Sequence, residues 1–142
     1  MNDTEPTDDD ILTGEDEVLF RQVHPNLFQH GVPGYIAFRP GPKDDGKLSV
    51  DRSSLTTAES SYKLHTEEKR RQSAGTWGLT VGEFDAAGRT CKSDPVEAEG
   101  DEPANPAHAV AIYDGLEKKD LKKIGLALSE LAIARGRLHP KA

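Results

Sequence analysis

The sequence predicts one α+β domain, with a mixed or antiparallel sheet of four to five strands, one surface helix and one long C-terminal helix. Apolar residues recur with a period of two in the segments 17–25 and 74–84, and they are nearly continuous in 108–114; both patterns are typical of strands. Between 116 and 135 the period changes to that of a helix. A chain of 142 residues is long enough to bury one core.

Three strands are predicted in the first half of the chain. "EVLFRQVHP" forms the first and ends at Pro25, and "GYIAFRP" and "KLSVDR" form the second and third. The intervening "PGPKDDG" consists of turn formers, so it predicts a β-hairpin between the last two. Residues 26–34 predict an irregular crossing that Leu27 and Phe28 attach to the core.

A surface helix is predicted to follow, over 56–71. Thr56 and Glu59 have the spacing of a capping box, and the apolar stripe beyond them is thin. The strand over 74–84 then places Gly78 and Gly82 on one face, where another element can approach closely.

The last third of the chain is predicted to hold a loop, a strand and a helix. Residues 85–107 lose apolar periodicity and gather acidic residues, which predicts a mobile acidic loop. The strand 108–114 is nearly continuous in apolar character. Asp114 and Glu117 offer a second capping pair for the helix over 116–135, and Gly136 is a natural stop.

The negative charge is concentrated in the first 17 residues. This segment has eight acidic residues and no Lys or Arg, so its charge is −8. Since the net charge of the chain is −7, residues 18–142 carry a net charge of +1. Such a run is typical of a disordered, solvated tail. The alternative is that it docks on a basic surface, either its own or a partner's. The domain proper is then 18–142.

Cysteine and histidine usage argues against disulfides and metals. Cys91 is the only cysteine, so no intramolecular disulfide forms and a reducing compartment fits best. None of the five histidines lies four residues from another, the spacing of helical zinc sites, so no metal or cofactor is predicted. No apolar run approaches the roughly 20 residues of a membrane span, and an acidic N-terminus is unlike a signal peptide, so a cytoplasmic location is expected.

The long helix carries apolar residues on two sides. An inward stripe is formed by Leu121, Ile124, Leu128, Leu131 and Ala132. Leu126 and Ile133 project almost opposite to it. Either the acidic loop or the N-terminal segment covers this pair, or a partner protein or a second copy does. Lys119 and Lys122 lie near the helix N-terminus, where cations are unfavourable, so we expect them to contact a partner or the acidic tail.

Four blocks resemble a group of small bacterial proteins of unknown function: "RQVHPN", "AFRPGPKDDGKLSVDRSSLTTAE", "SAGTWGLTVGEF" and "HAVAIYD". The shared features are His-Pro, Phe-x-Pro, Lys-Asp and Leu-Ser-Val, in this order, between His24 and Asp114. The resemblance implies a bacterial, one-domain, mixed α/β body and no mechanism. It also singles out a set of polar candidates for binding: His24, Asn26, Arg39, Lys43, Asp44 and Arg52.

The function expected from the sequence is a non-catalytic protein-interaction module, such as an antitoxin, immunity or accessory subunit of a bacterial system. Its interface would use Leu126, Ile133, Lys119 and Lys122 for a protein partner or for self-association. The alternative is a small enzyme or nucleotide-binding domain with an anion-binding cleft near His24, Arg39 and Arg52. Nucleic-acid binding through the lysines fits less well, because residues 18–142 are near neutral and aromatic platforms are scarce.

Overall fold

A computed structural model describes residues 7–41 and 44–140. It confirms the α+β class. The strands of these ranges are, in chain order, β1 (Val18–Gln22), β2 (Phe28–Gln29), β3 (Val32–Pro33), β4 (Lys47–Arg52), β5 (Thr76–Thr80), β6 (Cys91–Ser93) and β7 (His108–Ile112). β2 pairs with β3, and the other five form the main antiparallel sheet in the order β5-β1-β4-β7-β6.

Three helices and several single turns accompany the strands. They are α1 (Ala58–Lys63), which continues as a π-helical turn over Leu64–Glu68, α2 (Val81–Ala86) and α3 (Lys118–Arg135). α3 begins and ends close to the predicted limits, and Gly136 after it has the positive φ of a helix stop, 91°. The cap of α1 is Thr57, whose hydroxyl accepts from the Ser60 amide at 3.0 Å; the predicted cap, Thr56, was one residue early.

One face of the sheet forms the core. Alternate residues point to it, among them Leu19, Leu48, Val50 and Leu79, and they form one cluster with Phe38, Phe84 and Leu128. Leu27 and Phe28 pack against this cluster as predicted, with the Phe28 ring edge-on to Trp77 at 5.3 Å between ring centres. The opposite face carries polar residues, and α1 hydrogen-bonds to it.

The strand predicted at 35–39 was wrong, and with it the hairpin. Tyr35–Phe38 forms a 3-10 turn, in which the Ala37 amide donates to the Gly34 carbonyl at 3.0 Å. The turn buries two consecutive residues, Ala37 and Phe38, which a half-buried strand cannot do because its side chains alternate. The Tyr113 hydroxyl then donates to the Phe38 carbonyl at 2.6 Å and fixes the turn beneath α3.

The strand predicted over 74–84 ends at Thr80, where α2 begins. The Thr80 hydroxyl accepts from the Glu83 amide at 3.0 Å, and the Glu83 carboxylate accepts from the Thr80 amide at 2.8 Å. This capping box converts the last residues into a helix. The close approach expected at the glycines is confirmed: a Cβ on Gly78 would lie 2.7 Å from Leu138, and one on Gly82 would lie 3.2 Å from the Glu15 carbonyl.

Within its described part, residues 7–17, the acidic N-terminal segment contacts the sheet, and the disorder of the tail stays a prediction. Leu12 is buried, and its amide donates to the Cys91 carbonyl at 2.9 Å. Asp8 lies 3.5 Å from Lys92. An apolar side chain within the acidic run thus anchors the segment on β6. Residues 1–6 lie outside the described part of the chain.

The segment predicted as the acidic loop, 85–107, contains structure as well. β6 lies within it, and Val96 pairs with Asn105 through backbone hydrogen bonds of 3.0 and 2.8 Å. The strand was missed because three residues are too few to show a period of two. The mobility of this segment stays a prediction.

Candidate functional site

The outward side of α3 presents two lysines and two apolar residues in line. Lys119, Lys122, Leu126 and Ile133 are separated by three, four and seven positions, which places them along one side of a helix. All four are exposed, with Leu126 at 43% and Ile133 at 37%. Of the two alternatives for this apolar pair, cover by the chain itself is not provided by the described residues, which leave both side chains exposed.

Leu131 was assigned to the inward stripe, and this was wrong. It is 41% exposed, whereas Leu128 and Ala132 are fully buried and Leu121 and Ile124 are partly buried against the core. Leu131 lies about 140° around the helix from Leu126, so it does not belong to the lysine-bearing side.

A basic cavity adjoins the lysines at the beginning of α3. Its volume is about 540 Å³, and its lining includes Tyr35, Arg39, Lys118 and Lys122. The Arg39 guanidinium and the Lys122 ammonium lie 5.7 and 5.6 Å from the centre of the Tyr35 ring, within the range of cation–π contacts. We call the cavity and the outward stripe together the α3 surface: Tyr35, Arg39, Lys118, Lys119, Lys122, Leu126 and Ile133.

The α3 surface concentrates positive charge at an unfavourable place. Among the residues that the structure describes, four cations and no acidic residue line the cavity, although Glu117 lies 3.7 Å from Lys119. Cations in the first turn of a helix oppose its dipole by roughly 0.3–1 kcal/mol each. The contact of Lys122 with Tyr35 and the ion pair of Lys119 with Glu117 offset part of this cost. The ammonium groups of both lysines stay exposed, which favours a role in binding an acidic group.

A second concave region, the polar cleft, lies on the face of the sheet opposite the core. Its volume is about 360 Å³. Its lining includes Arg21, Asp44, Ser49, Asp51, Lys69, Arg71 and His108. Its lining therefore mixes cations, carboxylates and a hydroxyl.

A buried hydrogen-bond network supports the polar cleft. Asp51 on β4 accepts from the Ser61 hydroxyl of α1 at 2.7 Å and from the Asn105 amide group at 2.9 Å. Ser61 and Asn105 are both buried. Since Asn105 also pairs with Val96 through the backbone, the network attaches the 94–107 segment to the sheet.

His108 connects two residues across the polar cleft. Its Nε2 lies 3.1 Å from the Ser49 hydroxyl, and its Nδ1 lies 2.8 Å from the Asp94 carbonyl and 3.4 Å from the Asp94 carboxylate. His108 is the first residue of β7, and its ring faces the cleft. Nearby, burial and then the adjacent Arg71 and Lys69 lower the pKa of His65, which therefore stays neutral at pH 7.

The predicted polar candidates are divided among several places. The His24 ring accepts a hydrogen bond from the Asn26 amide at 3.0 Å and caps the 3-10 turn to which Asn26 belongs. His24 also lines a groove, and Arg21 lines both this groove and the polar cleft. Asp44 lies in the polar cleft and accepts from the Gly41 amide at 2.7 Å. Lys43 lies outside the described residues.

The remaining two candidates, Arg39 and Arg52, do not line the groove that His24 lines. Arg39 belongs to the α3 surface. Arg52 lies 3.1 Å from Glu17 and pairs across the sheet with Leu19, at the opposite end of β1 from His24. Five strand residues separate those ends, about 17 Å at 3.3 Å per residue. The sheet therefore keeps Arg52 away from His24, and a shared anion-binding cleft near His24, Arg39 and Arg52 stays a prediction.

Comparison with known proteins gives no assignment: no family model, curated protein or solved structure matches the chain. In the described ranges, none of the helices has the length and apolar character needed to cross a bilayer. Nor do three or more His, Cys, Asp or Glu side chains of those ranges gather in an arrangement that could hold a metal ion.

Proposed function

We propose that this chain is a protein-interaction module whose α3 surface binds an acidic, amphipathic segment of a partner protein. The observation that carries the proposal is the continuity of the exposed pair Leu126 and Ile133 with four cations and an aromatic ring. Apolar anchors beside a charged region are the two parts that a helix-in-groove or helix-on-helix contact requires.

The apolar pair supplies affinity and the cations supply selection. Burying a leucine or isoleucine side chain completely contributes about 1.5–3 kcal/mol, and the exposed fractions leave part of that available. Lys122 lies one turn and Lys119 two turns before Leu126, and both would attract carboxylates on the partner and repel a basic segment.

A second copy of this chain fits the α3 surface less well. If two α3 helices paired in antiparallel fashion through Leu126 and Ile133, each Lys122 would face the end of the other helix, near Arg135 and Arg137. Like charges placed opposite each other weaken such an interface. The charge pattern therefore favours a different, acidic partner.

Among antitoxin, immunity and accessory subunits of bacterial systems, the basic character of this surface favours an accessory role towards an acidic protein. A cytoplasmic, reducing setting is part of the proposal, and the buried free thiol of Cys91 is compatible with it.

The test uses two synthetic, fluorescently labelled helical peptides and measures anisotropy. Both have leucine at the a and d positions of a heptad, and the other positions are glutamate in one peptide and lysine in the other. We expect the wild-type chain to bind the glutamate peptide more tightly, and its affinity to fall as salt is raised. Equal binding of both peptides, or no binding of the glutamate peptide at millimolar concentration, would contradict the proposal.

Matched serine variants locate the binding surface. Leu126→Ser and Ile133→Ser should each weaken binding of the glutamate peptide by about tenfold, equivalent to about 1.4 kcal/mol. Leu131→Ser is the control, because Leu131 is as exposed as Leu126 but lies on another side of α3. A similar loss in Leu131→Ser would mean that binding is not directed to the α3 surface.

A further inference from the structure

We propose that Ser49 is a nucleophile of the polar cleft, that His108 is its general base, that Asp94 positions His108, and that the substrate is a phosphate ester. This activity is separate from binding at the α3 surface. It also differs from the non-catalytic role that the sequence led us to expect.

The sheet register brings the serine and the histidine together. Ser49 of β4 pairs with Val110 of β7, and Asp51 pairs with His108. Ser49 and His108 are therefore diagonal neighbours on one face, within reach of a long side chain. The distance of 3.1 Å between the Ser49 hydroxyl and Nε2 is that of a hydrogen bond.

The contact at Nδ1 determines which nitrogen of His108 acts as the base. The Asp94 carbonyl, 2.8 Å away, can only accept a hydrogen bond, so Nδ1 carries the hydrogen. Nε2 is then left with a lone pair that accepts the hydrogen of the Ser49 hydroxyl. The Asp94 carboxylate, 3.4 Å from Nδ1, stabilises the positive charge that the ring acquires during proton transfer.

Exposure differs among the three residues as nucleophilic catalysis requires. Ser49 is exposed to the cleft, whereas the His108 side chain is only 14% exposed and the Asp94 side chain 29%. The hydroxyl can thus meet a substrate, while the base and its positioning residue are held in place. The Asp51–Asn105 bond stabilises this arrangement by attaching the segment that follows Asp94 to the sheet.

The charges around Ser49 favour a phosphate ester over a neutral ester. Arg21, Lys69 and Arg71 line the same cleft, and Arg21 is fixed there by a 3.1 Å hydrogen bond to the Ser49 carbonyl. Two carboxylates, those of Asp44 and Asp51, also line this cleft. The Asp51 carboxylate already accepts a hydrogen bond on each of its oxygens. Positioned cations stabilise the charge on phosphoryl oxygens in the transition state.

The proposed reaction has two balanced steps. The Ser49 oxygen attacks phosphorus, the bond from phosphorus to the leaving oxygen breaks, and the serine proton passes through His108 Nε2 to that oxygen, releasing an alcohol. A water molecule then attacks the phosphoserine while His108 accepts a proton from it, and the proton returns to the Ser49 oxygen as the phosphate leaves. The sum is ester plus water giving alcohol plus phosphate.

An alkyl fluorophosphonate tests the nucleophile directly, because its reaction forms a bond between Ser49 oxygen and phosphorus and releases fluoride and a proton. We expect mass spectrometry to find the label on Ser49 of the folded full chain. Ser49→Ala should abolish it, His108→Gln should slow it by at least about tenfold, and Asp94→Asn should slow it less. Ser54→Ala is the matched control and should label normally, because the Ser54 hydroxyl bonds to Glu17, outside the cleft.

Several outcomes would overturn the proposal. Labelling of Ser49 no faster than in the urea-unfolded chain would show that the hydroxyl is not activated. An unchanged rate in His108→Gln would remove the base. Binding of the glutamate peptide to the same variants serves as a check that they are folded, and it also separates failure here from failure of the α3 surface.

Turnover distinguishes the substrate class. We expect release of nitrophenol from bis(p-nitrophenyl) phosphate by the wild-type chain and its loss in Ser49→Ala. Lys69→Ala and Arg71→Ala should reduce this turnover without reducing the labelling of Ser49 by an uncharged fluorophosphonate. Turnover of p-nitrophenyl acetate alone, dependent on Ser49, would overturn the assignment to phosphate esters.

Discussion

Replacing two leucines of α3 by alanine, one at a time, gives a direct measure of which side of the helix is buried. Leu128 is fully buried in the core cluster, whereas Leu126, two positions earlier, is 43% exposed. The same substitution on the same helix changes helix propensity equally in both variants. A difference in stability between them therefore reports burial.

The magnitude follows from the atoms removed. Leucine to alanine deletes three carbon groups, worth about 0.8 kcal/mol each when buried, so Leu128→Ala should lower the free energy of unfolding by about 2.5 kcal/mol. The remaining cavity raises this towards 5 kcal/mol, roughly. Leu126→Ala should lower it by less than about 1 kcal/mol, because solvent already reaches the side chain.

Urea unfolding followed by the fluorescence of the single Trp77 measures both values. Trp77 lies in the same core cluster as Leu128 and should report its loss. If Leu126→Ala were as destabilising as Leu128→Ala, Leu126 would be covered in the folded chain. The α3 surface would then not be available to a partner.

Three further predictions concern packing and ionisation. Gly125→Ala should lower the free energy of unfolding by about 1–2 kcal/mol, because the added Cβ would lie 2.5 Å from the Tyr35 carbonyl oxygen. An unchanged melting temperature in thermal unfolding would contradict this packing. Burial alone would raise the pKa of Glu83, but hydrogen bonds from Arg135 and Thr80 lower it overall. This carboxylate therefore stabilises the fold at pH values above its unfolded pKa of about 4.3, and the stabilisation disappears as the pH falls through the lower pKa of the folded state. Glu83→Gln should reduce that acid dependence by up to about 1 kcal/mol, and an identical pH profile would refute the argument. Burial raises the pKa of the Cys91 thiol to about 12, so it should resist a disulfide reagent at pH 8 until the chain is unfolded, and rapid reaction of the native protein would be the contrary result.

Elements with a strong periodic pattern could be predicted from the sequence, and short elements could not. β4, β7 and α3 have several apolar residues at the spacing of their structure, so the pattern determines them. The segment around Phe38 has too few residues to distinguish a strand from a helical turn. At Thr80 the capping signal was present in the sequence, but the alternation of apolar residues before it continued in register and concealed it.

The functional surfaces differ in the same way. The stripe with Leu126 and Ile133 is local to one helix, so its spacing identified it. The addition of Arg39 and Tyr35 to it depends on a turn that the sequence did not predict. The contact of Ser49 with His108 joins residues 59 positions apart, and it exists only because β4 and β7 pair in one register.

A charge reversal on the α3 surface tests the central claim most directly. Lys119→Glu combined with Lys122→Glu should leave the fold intact, because both side chains are exposed. We predict that this variant binds the glutamate peptide at least about tenfold more weakly than the wild type and the lysine peptide more tightly, so that the preference is inverted. An unchanged preference for the glutamate peptide would show that the cations of α3 do not select the partner and would contradict the account.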